Sequence, residues 1–157
     1  MKKIISFASD FGLSDGSVGV VKGVINRIDS ELKINDISHG IPAQNIKYGS
    51  LLLMRAIQYI PQGVLLAVVD PGVGTERKPV AIETDWGVMI GPDNGLLNLA
   101  CATVGGEQKE PISLKMKIGL SPVTGTPFML EMYFLLLQLG LPQVNLISKI
   151  VVRKLIL

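Results

Sequence analysis

The chain has 157 residues, 48% hydrophobic and 18% charged, with a net charge of +2. This composition suits a domain with a substantial core and excludes a disordered chain. A charge so near zero, a single Trp and no basic tract interleaved with aromatics argue against a nucleic-acid partner.

The one cysteine, Cys101, allows no internal disulfide, and no Cys-x-x-Cys or Cys-x-His pair suggests zinc. Both features fit a reducing cytoplasm. Too few apolar residues follow the N-terminal lysines for a signal peptide. Phe128 to Leu141 is apolar, but Glu131 and Gln138 interrupt it, and it falls short of the roughly 20 residues that cross a bilayer. The expectation is a cytoplasmic protein with no membrane partner.

In chain order, Lys3 to Ala8 reads as a first strand ending in Ser9-Asp10-Phe11-Gly12. Asp15, Gly16 and Ser17 follow in the next loop. From Ser17 the residues Val18, Val21, Val24, Ile25 and Ile28 recur at helical steps. Lys33 to Ile37 is a second strand, closed by Ser38-His39-Gly40. Asn45 is placed to cap a helix from Ile46 to Tyr59, with Leu52, Leu53, Ala56 and Ile57 on its buried side. Pro61 and Gly63 end that helix.

The next stretch, VLLAVVDPGVGTERK from Val64 to Lys78, organises the chain. Its unbroken apolar run, Val64 to Val69, suits a strand buried on both faces. Asp70 stands at the end of the run. Pro71, Gly72 and Gly74 turn the backbone, and Thr75, Glu76 and Arg77 bring a hydroxyl, a carboxylate and a guanidinium back near Asp70. Pro79 to Glu83 and Gly87 to Ile90 read as a hairpin about Thr84-Asp85-Trp86-Gly87. Gly91-Pro92-Asp93-Asn94-Gly95 is another polar turn, and Leu96 to Ala102 a short helix.

A β-α-β-α-β order predicts an α/β fold, with a mostly parallel central sheet and flanking helices. Ligands bind such sheets beyond the carboxyl ends of the strands. Three strand ends offer polar groups there: Asp10 with Asp15 and Ser17, Asp70 with Arg77, and Asp93 with Asn94. Ionised carboxylates at such ends can grip a ribose diol by accepting its hydroxyl protons. Plainer roles stand beside these. Asp15 can cap the Ser17 helix, Asp70 its own turn, and Asp93 and Asn94 theirs. His39, the only histidine, is expected to hold a turn together through its ring nitrogens.

Four motifs, SDFGLSDGSVGVVKGVI, INDISHGIP, VVDPGVGTER and GPDNGLL, resemble in sequence and order those of the S-adenosylmethionine (SAM) hydroxide adenosyltransferases. These are relatives of the fluorinases and chlorinases. The resemblance covers roughly residues 3 to 106. It implies an N-terminal α/β domain, a smaller C-terminal β-barrel and a homotrimer with sites between subunits. It also implies hydrolysis of S-adenosylmethionine, as substrate and with no cofactor, to adenosine and methionine. Asp10 would hold the ribose hydroxyls, Asp15 and Ser17 would meet the methionine portion, and Asn94 would join the substrate-binding set. Asp70 and Arg77 would belong to a water-positioning Asp-Arg-His set. Halogenating relatives carry a tyrosine where this chain has Asp70, and a carboxylate beside the nucleophile would repel halide, so Asp70 implies water.

The histidine of that set is absent, because no histidine follows His39. Residues 1–106 are therefore expected to form the S-adenosylmethionine-binding domain, and residues 107–157 an aberrant tail, weakly structured or helical, with the β-barrel missing. The permitted codons of PFMLEMYF, read in a neighbouring frame, include a set spelling FHARDVF, which resembles the missing motif. The tail is thus expected to be a frameshifted translation or a sequencing error, with a divergent but genuine C-terminus, helical over Phe128 to Leu141, as the alternative. The hydrolysis is expected to be impaired. The alternatives are a noncatalytic adenosine-binding fragment or a halogenating relative.

Overall fold

The computed structural model describes residues 4–72, 77, 79–105 and 112–113. The elements are β1 (Ile4–Ser9), α1 (Ser17–Ile28), β2 (Lys33–Ser38), α2 (Ile46–Ala56), β3 (Val64–Val68), β4 (Pro79–Glu83), β5 (Val88–Pro92), α3 (Asn98–Val104) and β6 (Ile112–Ser113). One sheet runs in the order β2-β1-β3-β5-β4-β6. Strands β2, β1, β3 and β5 are mutually parallel, whereas β4 lies antiparallel to both β5 and β6. The anticipated mostly parallel sheet, with a hairpin added to it, is therefore present.

β3 explains how an unbroken apolar run becomes a central strand. Val64, Leu66 and Val68 face one layer, with Ile5, Phe7 and the α1 residues Val18, Val21 and Ile25. Leu65, Ala67 and Val69 face the other, with Leu53 and Ile57 near α2 and Leu97, Ala100 and Cys101 at α3. Alternate side chains of a strand point to opposite faces, so helices on both sides require every position to be apolar. Burying each large side chain in these layers contributes about 1.5–3 kcal/mol.

Several boundaries differ from the sequence reading by one to three residues, and two of them have a local cause. α2 ends at Ala56 rather than Tyr59. The amides of Tyr59 and Ile60 both donate to the Ala56 carbonyl, tightening the last turn ahead of Pro61, which disfavours helical geometry in its predecessor. α3 starts at Asn98, two residues after the expected Leu96. There the Asn94 side chain accepts from the Leu96 amide at 3.1 Å, and this local turn delays the helix. The hairpin needs Gly87 for space: a Cβ there would lie 2.1 Å from the Gly63 carbonyl oxygen.

Most of the segment expected to form the tail, residues 107–157, lies outside the described residues. Within it, Ile112–Ser113 pairs with β4, matching Ala81 to Ile112 and Val80 to Ser113.

Candidate active site

The parallel ladders decide where the polar strand ends meet. Ser9 pairs with Val68 across β1 and β3, and the Asp10 amide donates to the Val68 carbonyl at 3.2 Å. Asp10 and Asp70 thus leave adjacent strands at the same edge. Strand β5 runs parallel to β3, bringing Asp93 and Asn94 to that edge. Strand β4 runs the other way, and its first residue Pro79 faces Pro92. Arg77, just ahead of Pro79, therefore returns to the edge that Asp70 leaves.

Asp70 and Arg77 form a two-pronged ion pair. Arg77 Nε donates to Asp70 Oδ1 at 3.0 Å and Arg77 Nη2 to Asp70 Oδ2. The Gly72 amide also donates to Oδ1, at 3.1 Å. The Asp70 side chain is 2% exposed and that of Arg77 11%. Planar guanidinium matches carboxylate in this geometry, and such charge-assisted pairs are the strong ones. A carboxylate has about four acceptor positions, and three donors occupy Asp70, which leaves about one for a further ligand.

Asp10 is held differently. Its Oδ2 accepts one bond, from the Gln44 amide at 2.8 Å, and the residue is half-buried. Most of its acceptor capacity is open to a ligand. Gln44 was not apparent from sequence as a site residue. It has φ +61°, a left-handed conformation uncommon for residues other than glycine, Asn and Asp. Nothing in Pro42-Ala43-Gln44-Asn45 signals that conformation.

Asp15 is exposed and accepts from the Ser17 amide at 2.9 Å. That backbone hydrogen bond, and a second from the Ser17 side chain, hold its carboxyl below the ordinary value. Asp15 thus closes a turn onto Ser17, the first residue of α1, whereas the N-cap position is Gly16 and carries no side-chain cap bond. Asn94 is a brace: its Nδ2 donates to the Val69 carbonyl at 2.9 Å while its Oδ1 accepts from Leu96. One N–H and one lone pair of the amide remain. Asp93 is exposed.

His39, expected to hold a turn, is buried, and its Nδ1 lies 2.8 Å from Ser9 Oγ. Its Nε2 lies 3.2 Å from Asp36 Oδ1, at an angle that makes no hydrogen bond. Desolvation alone would raise the Asp36 carboxyl, but Lys22 and His39 beside it more than offset this and hold it below its ordinary value. Among the described residues, no group of His, Cys, Asp and Glu could hold a metal ion, and no helix is long and apolar enough to cross a membrane.

Residues 5–128 match the family described as the SAM hydroxide adenosyltransferase N-terminal domain. The chain is 44% identical over 102 residues to an (R)-S-adenosyl-L-methionine hydrolase of Salinispora tropica, a match covering 65% of this chain and 39% of that protein. It is 43% identical over 107 residues to the enzyme of that name from Methanocaldococcus jannaschii, covering 65% and 41%. A fluorinase of Actinopolyspora mzabensis is 29% identical over 86 residues, covering 54% and 29%. A conserved hypothetical protein of Thermus thermophilus has the same fold, with a TM-score of 0.63 and 39% identity over 71% of this chain and 46% of that one. The chain thus spans about two fifths of the length of the curated relatives it matches. With its motifs on one sheet edge and a family match over most of its length, the chain belongs to the SAM hydroxide adenosyltransferase family.

Proposed function

We propose that this chain carries the S-adenosylmethionine site of a hydrolase, and that the reaction is an in-line displacement at the ribose 5′ carbon. The oxygen of water forms the new C5′–O bond as the C5′–S bond breaks. The sulfur keeps the electron pair, so methionine leaves neutral from a sulfonium, and the water proton passes to solvent. No acid is needed to protonate the leaving group. The difficulty is aiming a weak nucleophile, and positioning can contribute on the order of 7–11 kcal/mol at best.

One observation carries this reading: the Asp10 carboxylate and the Asp70–Arg77 pair share one sheet edge on adjacent parallel strands. In the reading, Asp10 accepts the ribose hydroxyls with its open positions. Asp15 and Ser17 meet the methionine portion, and Asn94 uses its remaining N–H on the substrate. Asp70 orients the water through its one free position, and Arg77 favours hydroxide electrostatically. Asp70 gives its other positions to donors, which suits a group that aims water more than one that takes a proton. The substrate is the small molecule S-adenosylmethionine, no cofactor takes part, and the setting is the cytoplasm. Residues 1–106 form the body of the binding domain, whose sheet and family match run on to Ser113 and residue 128, and the frameshifted tail lies within residues 107–157. Sequencing the coding DNA tests the tail, since an intact frame with no FHxRD-like alternative removes that part.

A second reading has its own support. His39, the one histidine of the chain, is committed to Ser9, so the third member of the Asp-Arg-His set is not supplied by it. In that reading the chain binds adenosine without turnover. Chromatography of a day-long incubation with S-adenosylmethionine, beside calorimetry with adenosine, separates the two. Hydrolysis predicts adenosine and methionine as products, lost in Asp70→Asn. Binding alone predicts heat with adenosine and no product. Adding chloride distinguishes hydrolysis from halogenation, which would give a chlorinated nucleoside.

A further inference from the structure

We propose that His39 is the positioning residue of Asp10. The proposal rests on the reading in which Asp10 holds the ligand, and it adds a group that contacts no substrate. Three contacts point to it. His39 Nδ1 meets Ser9 Oγ at 2.8 Å, on the residue before Asp10. The His39 carbonyl accepts from the Gly12 amide at 2.8 Å, on the far side of Asp10. One residue therefore holds both ends of the turn that carries the carboxylate. The chain leaving His39 then delivers the Gln44 amide to Asp10 Oδ2 at 2.8 Å. Backbone strain of the kind that Gln44 shows persists only where the surroundings impose it, and here it aims an N–H at Asp10.

The ring itself is fixed. It packs edge-on against Phe7 with centroids 4.6 Å apart, and its side chain is 3% exposed. Its tautomer follows from Asp36. The Asp36 carboxylate oxygen Oδ1 lies 3.2 Å from Nε2 and favours the ring proton there. Nδ1 is then the acceptor of the Ser9 hydroxyl, and Ser9 Oγ in turn accepts from the Phe11 amide at 3.4 Å. Asp36 is in turn paired with Lys22 on α1. Two hydrogen-bonded pairs, Ser9–His39 and Lys22–Asp36, thus meet at the approach of Nε2 to Asp36 and line a polar path from α1 to the residue before Asp10.

The test is a double-mutant cycle read by adenosine calorimetry. His39→Phe keeps the ring contact with Phe7 but leaves the Ser9 hydroxyl without an acceptor. It should weaken adenosine binding roughly tenfold. In an Asp10→Asn background the same change should cost almost nothing, because His39 acts through Asp10. Additive losses, or unchanged binding in His39→Phe, overturn the proposal.

His39→Asn places an amide oxygen near the Nδ1 position and should restore most of the affinity. His39→Gln reaches toward the Nε2 position and should not. These two decide the matter if the Phe variant fails to fold, and equal binding by both overturns the proposal. If the unsubstituted chain gives no heat with adenosine, the functional reading falls. Amide exchange then decides the role of His39 by itself. Faster exchange at Gly12 and Gln44 than at α3 amides in the variants supports it, and a uniform change overturns it.

Discussion

The two carboxylates at the sheet edge are built on neighbouring strands and treated in opposite ways. Asp70 is enclosed by Arg77 and by its own turn, with its side chain 2% exposed. Asp10 is half-buried and takes one bond, from the Gln44 amide. A carboxylate with most of its positions taken by fixed donors is held in one orientation, as aiming a small molecule requires. One with free lone pairs can exchange water for ligand hydroxyls. The difference separates positioning from gripping before any ligand is considered.

The sharpest way to break that contrast is Arg77→Met, which leaves the Asp70 carboxylate buried without its partner. Denaturant unfolding should show a loss of about 3–5 kcal/mol. Adding Asp70→Asn in the same chain should recover much of it, since the uncompensated charge is gone. Next in size is Asp10→Asn, which should weaken adenosine binding by about 1.5–3 kcal/mol in calorimetry and change stability far less than Arg77→Met. A similar stability loss in both would erase the distinction.

A smaller effect sharpens the Asp10 side. The Asn45 side chain accepts from the Tyr48 amide at 2.9 Å and caps α2 directly after Gln44. Asn45→Ala should lower stability by about 1 kcal/mol and reduce adenosine affinity slightly, by loosening the Gln44 amide.

The smallest effect is one of pH. The folded Asp36 carboxyl lies below its ordinary 3.8, so its contribution is complete above that value. It is lost as pH falls below 3.8 toward the folded value. Asp36 is 41% exposed, which keeps the term under about 1 kcal/mol. Stability curves of Asp36→Asn should lack that part of the acid-side loss.

The architecture was legible because strand and helix periods differ. The Val64–Val69 run, the helical steps from Ser17 and the Asn45 cap all lie within a few residues of what they specify. The start of α3 was not legible, because the bond from the Leu96 amide to Asn94 competes with helix formation and leaves no mark in the apolar pattern. At the site, carboxylates beyond parallel strands could be placed, and so could the nearness of Arg77 to Asp70 in sequence. The two-pronged geometry could not, nor could Ser9 meeting His39 across 30 residues. Gln44 was invisible for another reason: its role belongs to a backbone N–H, which every residue but proline carries.

The pairing of Ser9 with Val68 fixes a length. Adjacent strands lie roughly 4.8 Å apart, and the two acidic groups issue from that lattice within two residues of a matched pair. The span between the gripping point and the aiming point is therefore a property of main-chain geometry that no side-chain replacement rescales. Redesign toward a larger nucleoside or another attacking group would have to work through the loops, with the ruler between them unchanged.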